Sequence, residues 1–183
     1  MIRRLILIQI CSLLCLGRAF PESGHTAADS LSLFPLLKTT DGQRKLAVLE
    51  KIYAGFYEYY PEQAHAYALQ ALRLARKLKV RDAEAGACYY LSFYYSCLGS
   101  NDSALYFCRA GMEISRAINS VSRTARGYAR LGSIYRQTGD KAKAIWCLRK
   151  AIAMDSLNQE TVATCCQSLG IAYSDAGCHK EAV

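Results

Sequence analysis

The chain has 183 residues, of which 52% are hydrophobic and 21% charged, with a formal net charge of +8 at neutral pH. That length supports one domain with a continuous core, and the composition excludes a disordered polymer. The positive balance is too modest for the dense basic stripe that nucleic-acid binding needs, so no nucleic-acid partner is expected from this segment.

Reading from the amino terminus, Arg3-Arg4 form a basic n-region, Leu5 to Leu16 an apolar run, and Gly17-Arg18-Ala19 put small residues at both recognition positions. This predicts a secretory signal peptide over residues 1–19, cleaved after Ala19. The run is shorter than the roughly 20 residues of a membrane span. A retained anchor is the competing reading. Leu14 before Cys15 argues against a lipoprotein site. Export places the chain in the periplasm, or on the extracytoplasmic side of a membrane. Loss of the segment removes Arg3, Arg4 and Arg18 and lowers the charge from +8 to +5. Residues 20–42, with Pro21 and Pro35, read as a linker or a short leading helix.

From Gln43 to Glu58 apolar residues recur at helical spacing through Leu46, Leu49, Ile52, Tyr53 and Phe56. A second helical run opens with Pro61-Glu62-Gln63-Ala64. Cations near its end, Arg76 and Lys77, suit the negative end of a helix dipole.

A phrase then repeats. Leu91-Ser92-Phe93-Tyr94-Tyr95-Ser96-Cys97-Leu98-Gly99 is followed by Ala104. Leu131-Gly132-Ser133-Ile134-Tyr135-Arg136-Gln137-Thr138-Gly139 is followed by Ala144. Leu169-Gly170-Ile171-Ala172-Tyr173-Ser174-Asp175-Ala176-Gly177 is followed by Ala182. The glycines at 99, 139 and 177 lie 40 and 38 residues apart. Such periodicity marks a stack of small units. Within one unit, a helical pattern over 122–138 ends at Gly139, which can take positive φ. Asp140 is a good N-cap for a second run through Ala144, Leu148 and Ala151. Each unit is therefore helix, tight turn, helix. Gly132, Ala144 and Ala151 are small where the two helices cross.

These residues resemble the tetratricopeptide repeat family over roughly Gln43 to Val183. The matching positions are Leu131, Gly132, Tyr135, Gly139, Ala144 and Ala151 in one unit. Leu91, Ser92, Tyr95, Gly99, Ala104 and Gly111 match in the unit before, and Leu169, Gly170, Tyr173, Gly177 and Ala182 in the last. The resemblance implies an all-α fold, a right-handed superhelical solenoid of antiparallel helix pairs. The period near 40 exceeds the family's usual value of about 34, and the extra length is expected in the helices and in the loops between units. Residues 43–183 are read as the array, its last repeat incomplete, and the chain as a fragment of a longer protein.

No catalytic constellation is visible around His25, His65 or His179, and no phosphate-binding glycine loop occurs. Neither enzyme activity nor a cofactor nor a metal is expected. Seven cysteines follow the signal, an odd number without a C-x-x-C, and they read as small core residues, with a disulfide between neighbouring repeats as the alternative.

The resemblance further implies that the first helices of successive units line a concave face that holds a protein or peptide ligand. The inward positions are Tyr89, Tyr90 and Phe93, then Arg126, Arg130, Ser133, Arg136 and Gln137, then Thr164, Gln167, Ile171, Ser174 and Asp175. Family members that grip a peptide carboxylate use basic residues at the places of Arg126 and Arg130, with asparagines from earlier units. Tyr90 stands where one asparagine would be. The leader, the leading segment and the long period also resemble the sensory amino-terminal regions of membrane-bound bacterial regulators. The expected function is a protein-binding scaffold serving as the extracytoplasmic sensory part of a larger signalling protein. The competing class is a free-standing exported adaptor. A membrane is expected to enter only through the signal or through sequence beyond Val183.

Overall fold

The computed structural model describes residues 33–56, 60–156, 158–175 and 177. The signal peptide expected at 1–19, most of the 20–42 segment, and Cys178, His179 and Ala182 lie outside the described residues. Within them the chain is all-helical: α1 (Phe34–Thr39), α2 (Gly42–Phe56), α3 (Pro61–Leu78), α4 (Arg81–Cys97), α5 (Asn101–Ala117), α6 (Val121–Gln137), α7 (Lys141–Met154) and α8 (Gln159–Asp175).

Four helix ends close in one way. At Gly99 the backbone N–H donates to the Ser96 carbonyl at 3.0 Å, and the Ser100 N–H to that of Tyr95 at 2.9 Å. The same pair of bonds recurs at Gly139 and Asp140, at Asn119 and Ser120, and at Lys79 and Val80. This closure needs a left-handed residue. Gly99 and Gly139 adopt it freely at φ 72° and 83°, whereas Asn119 and Lys79 are held there at 54° and 58°. Two of the helices that follow, α6 and α7, are then capped by a side chain, as is α8. Ser120 Oγ accepts from the Arg123 N–H, Asp140 Oδ1 from that of Lys143 at 3.1 Å, and Asn158 Oδ1 from that of Thr161 at 3.1 Å. α3 starts at Pro61, which needs no N–H donor there.

The turns are short, so the long period is taken up by helices of 17 residues in α4, α5 and α6. The expectation that the loops would also lengthen does not hold for these units. A Schellman closure leaves no room for extra loop residues.

Each helix packs on the next, α2 with α3, α4 with α5, and α6 with α7. The first helices also touch their counterparts, α2 on α4, α4 on α6 and α6 on α8. This brings the first helices together on the inner side of the stack and leaves α3, α5 and α7 on the outer side. Small residues allow the close approach. A Cβ on Gly132 would stand 2.6 Å from Cγ of Leu148 and 3.2 Å from the Ala144 carbonyl oxygen. The core runs along the seam through Leu49, Ile52, Tyr53, Leu91, Ile134 and Leu148, all at or below 1% exposure. α1 covers its start: Phe34 meets Phe56 and Tyr67 at ring distances of 5.7 and 5.8 Å.

Candidate functional site

The inner face is built from α2, α4, α6 and α8. It carries an ion pair between units. Arg123 of α6 reaches to Asp82 of α4 with both Nε and Nη2, one on each carboxylate oxygen. Gly86 makes this reach possible, since a Cβ there would stand 2.9 Å from Nη1 of Arg123 and 3.5 Å from Oε1 of Glu50 on α2. Three units thus bring charges to one point. Burial raises the Glu50 carboxyl above its ordinary value, with Arg123 opposing. Burial also works against the Arg123 cation, but Asp82 outweighs it and holds the proton more firmly than usual.

One and two turns further along α6 stand Arg126 and Arg130. Arg126 is exposed. Arg130 is partly buried, with its guanidinium 4.8 Å from the centre of the Phe93 ring. Burial pushes its pKa below the ordinary value, and its Nε is enclosed without a hydrogen-bond partner. Among the described residues no carboxylate pairs with either arginine, in contrast to Arg123. Two uncompensated cations four residues apart on one helix face, beside an aromatic ring, make a place where a carboxylate would be gained rather than exchanged.

The other candidates divide. Tyr90 and Phe93 line a cleft between α3 and α4, with His65, Tyr94 and Cys97. Tyr90 meets the buried ring of Tyr53 edge-on at 4.1 Å. The cleft encloses only about 40 Å³, far below the roughly 300 Å³ of a small-molecule pocket, so it suits a side chain of a larger ligand. Arg136 is partly buried, and its Nε also lacks a partner. Gln137 accepts a hydrogen bond from the buried Ser96 Oγ at 2.6 Å and so links α6 to α4. Thr164, Gln167, Ile171 and Ser174 of α8 are exposed.

Tyr89 is a correction. It is 2% exposed, and its hydroxyl lies 3.1 Å from Ser115 Oγ of α5. Its ring fills the space over Gly111, where a Cβ would come within 2.9 Å of it, and its hydroxyl lies 2.7 Å from where a Cβ on Gly127 would be. It is a packing residue between two units and does not reach the inner face.

Arg76 also differs from a plain helix-end cation. Its Nε donates at 3.0 Å to Glu84, a buried carboxylate that Arg81 holds from the other side at 2.8 Å. The cysteines are quiet. Burial pushes the thiols of Cys88, Cys147 and Cys165 up to about 11 and that of Cys108 up to about 12. Cys97 and Cys166 are exposed.

The tetratricopeptide repeat family model matches residues 125–156, which span most of α6 and all of α7. Over 125 residues the chain is 26% identical to Tetratricopeptide repeat protein 29 of Trypanosoma brucei brucei; the alignment covers 67% of this chain and 26% of that protein. The chain therefore spans about a quarter of that relative's length. Among solved structures it is similar to BtubC (BKLC) from P. vanneervenii, with a TM-score of 0.64 at 18% identity, covering 83% of this chain and 65% of that one. It is also similar to a putative kinesin light chain from Podosopora anserina with nearly identical TPR-like repeats, with a TM-score of 0.60 at 14% identity, covering 85% and 80%. The fold is a TPR-like α-solenoid. The repeat match and these relatives support the tetratricopeptide repeat family, whose fold is generally a non-catalytic scaffold for protein interaction.

Proposed function

We propose that this scaffold binds a peptide or protein segment along its inner face, holding an acidic or carboxylate group between Arg126 and Arg130. Phe93 and Tyr90 would take apolar side chains beside it. The observation that carries this reading is the contrast on α6: Arg123 already has Asp82, while Arg126 and Arg130 have no carboxylate among the described residues. Hydrogen bonds to charged groups contribute about 1.5–3 kcal/mol each, so two such contacts supply about 3–6 kcal/mol toward the roughly 8 kcal/mol of a micromolar complex, and apolar burial must supply the rest and the cost of association.

The proposal extends to place. Arg3-Arg4, the apolar run to Leu16 and the small residues before Phe20 support export. The resemblance to sensory regions of bacterial regulators supports a role as the extracytoplasmic input of a larger signalling protein.

The test of the binding site is a fluorescence titration of the chain with acidic peptides carrying free or amidated carboxyl termini. Arg126→Glu with Arg130→Gln should abolish micromolar binding. Arg73→Glu with Lys77→Glu, on the exposed face of α3 and away from the Arg76–Glu84 pair, should leave it unchanged. Equal binding by all three proteins would remove the inner-face site. Export is tested separately, by fractionating a bacterial host that expresses the chain with its own leader; retention of unprocessed protein in the cytoplasm would count against it.

A further inference from the structure

The outer side of the same unit carries a second constellation that peptide binding does not use. α7 carries four cations, Lys141, Lys143, Arg149 and Lys150, whereas Arg123, Arg126, Arg130 and Arg136 stand on the inner helix α6; the one carboxylate between Val121 and Met154 is Asp140. Asp140 is engaged at the start of α7, capping the helix and accepting from Lys143 Nζ at 2.6 Å. α7 itself contains no acidic residue.

Trp146 projects from α7 with 57% of its surface exposed. It is the only tryptophan of the chain. Its ring lies edge-on to Tyr128 of α6 at 5.9 Å. Two cations converge on the same tyrosine. Lys150 Nζ lies 5.2 Å from the Tyr128 ring centre and 4.9 Å from that of Trp146. The Arg116 guanidinium, from α5, lies 5.8 Å from the Tyr128 ring and donates to its hydroxyl at 3.2 Å. Tyr128 packs below against the cores on both sides. The platform is therefore a rigid shelf where α5 and α7 flank α6. Arg149, also exposed, extends the positive field toward α8, over Tyr173.

We propose that this outer shelf docks onto an anionic lipid surface, with Trp146 at headgroup depth and Arg116, Arg149 and Lys150 among the phosphates. The residue mix points to lipid. Tryptophan and tyrosine settle at the boundary between apolar and wet regions. Lysine and arginine reach anionic headgroups from beside them. A soluble acidic protein would draw on the same residue types, and the experiment below separates the two. Docking by the outer face leaves the inner face open, so the inference does not depend on what the inner face holds. It is also separate from any membrane contact made by the leader.

The full chain is mixed with vesicles of phosphatidylcholine alone, or of equal parts phosphatidylcholine and phosphatidylglycerol, in each case with brominated acyl chains. With one tryptophan, emission reports on Trp146 alone. The expected result is a blue shift and bromine quenching on the anionic vesicles only, reversed by high salt. Arg149→Glu with Lys150→Glu should weaken this association roughly thirtyfold or more, each cation being worth about a fivefold factor at such a surface. Trp146→Ala should lower sedimentation with the anionic vesicles. Quenching that is equal on neutral vesicles, or that survives the double reversal, overturns the proposal. So does sedimentation without quenching, which is tethering by the leader alone. A blue shift with soluble polyglutamate that vesicles do not reproduce would assign the shelf to an acidic protein instead.

Discussion

Ser92 of α4 donates a 2.8 Å hydrogen bond to the carbonyl of Ala104 in α5, at the point where the two helices of that unit cross. Cys108, one turn along α5, is buried and its thiol donates to the Gly127 carbonyl of α6 at 3.5 Å. Forty residues later Gly132 takes the place of Ser92, Ala144 that of Ala104, and Leu148 that of Cys108. Volume has moved from the first helix to the second: Ser92 stands opposite Cys108, while Gly132, with no side chain, stands opposite the larger Leu148. Where α5 offers a cysteine, α4 can carry a side chain; where α7 offers Leu148, any Cβ on α6 would collide with it at 2.6 Å.

That exchange predicts coupling. Gly132→Ser alone should overpack the crossing and cost about 1–3 kcal/mol. Combined with Leu148→Cys, the loss should be smaller than the sum of the two single losses by roughly 0.5–3 kcal/mol. Urea unfolding of the four proteins measures it, and strict additivity would show that the two positions do not share the space.

Lys79 is a second place to intervene. It closes α3 in the left-handed conformation at φ 58°, where a Cβ costs about 1–2 kcal/mol that glycine avoids. Its side chain is exposed and forms no ion pair among the described residues. Lys79→Gly should therefore stabilise the chain by roughly 0.5–1 kcal/mol after the larger entropy of the unfolded glycine is set against the gain. Gly139→Ala, the reverse change at an equivalent closure, should destabilise it. Thermal melts that moved both variants in one direction would contradict the shared turn geometry.

His65 should give the fold a pH dependence. Its ring stacks on Tyr94 at 4.1 Å and meets Tyr95 edge-on, and burial lowers its pKa, with Glu62 pulling the other way. The fold thus favours the neutral ring. This contribution is complete above the unfolded value of about 6.5 and is lost as pH falls through it toward the lower folded value. His65→Phe should flatten the stability profile in that window, as read by denaturant midpoints at successive pH values. An unchanged slope would mean that other groups set it.

The thiols should separate by reactivity. Cys97 and Cys166 are exposed, while burial keeps Cys88, Cys108, Cys147 and Cys165 protonated at neutral pH. Since the thiolate is the reacting species, alkylation of the native chain followed by peptide mapping should find label at the first two and, until denaturant is added, little at the other four.

Much of this was legible in the chain because it depends on local rules. Gly99 and Gly139 announce the turns, and Ala104, Ala144 and Ala151 announce the crossings, since a short side chain at fixed spacing has few other uses. Asp140 was readable as a cap for the same reason. The inner face was harder. Tyr89 and Tyr90 look alike in sequence, and only the two missing side chains opposite, at Gly111 and Gly127, reveal which ring is buried. Arg123 and Asp82 are 41 residues apart, so nothing local links them. Their pairing follows from the superposition of units, and Gly86 becomes intelligible only once the arginine is seen to pass over it. Arg76 stands in the last turn of α3 as its sequence position implies, but its pairing with Glu84 could not be read because that carboxylate comes from the next helix.

The neighbour-on-neighbour packing has a consequence for how the chain comes apart. Among the described residues the helix contacts run only within a unit or to the adjoining unit, so no single contact holds the whole stack. Disruption of one unit removes support only from those beside it. Amide exchange should then be graded along the stack, slowest in α4 to α6, which are covered on both sides, and faster toward α2 and α8. Folding can begin in any adjacent pair and spread outward, with little entropy lost to closing long loops. A molecule of this kind yields by fraying and extends under load by degrees, which suits a surface that must follow the contour of an extended ligand.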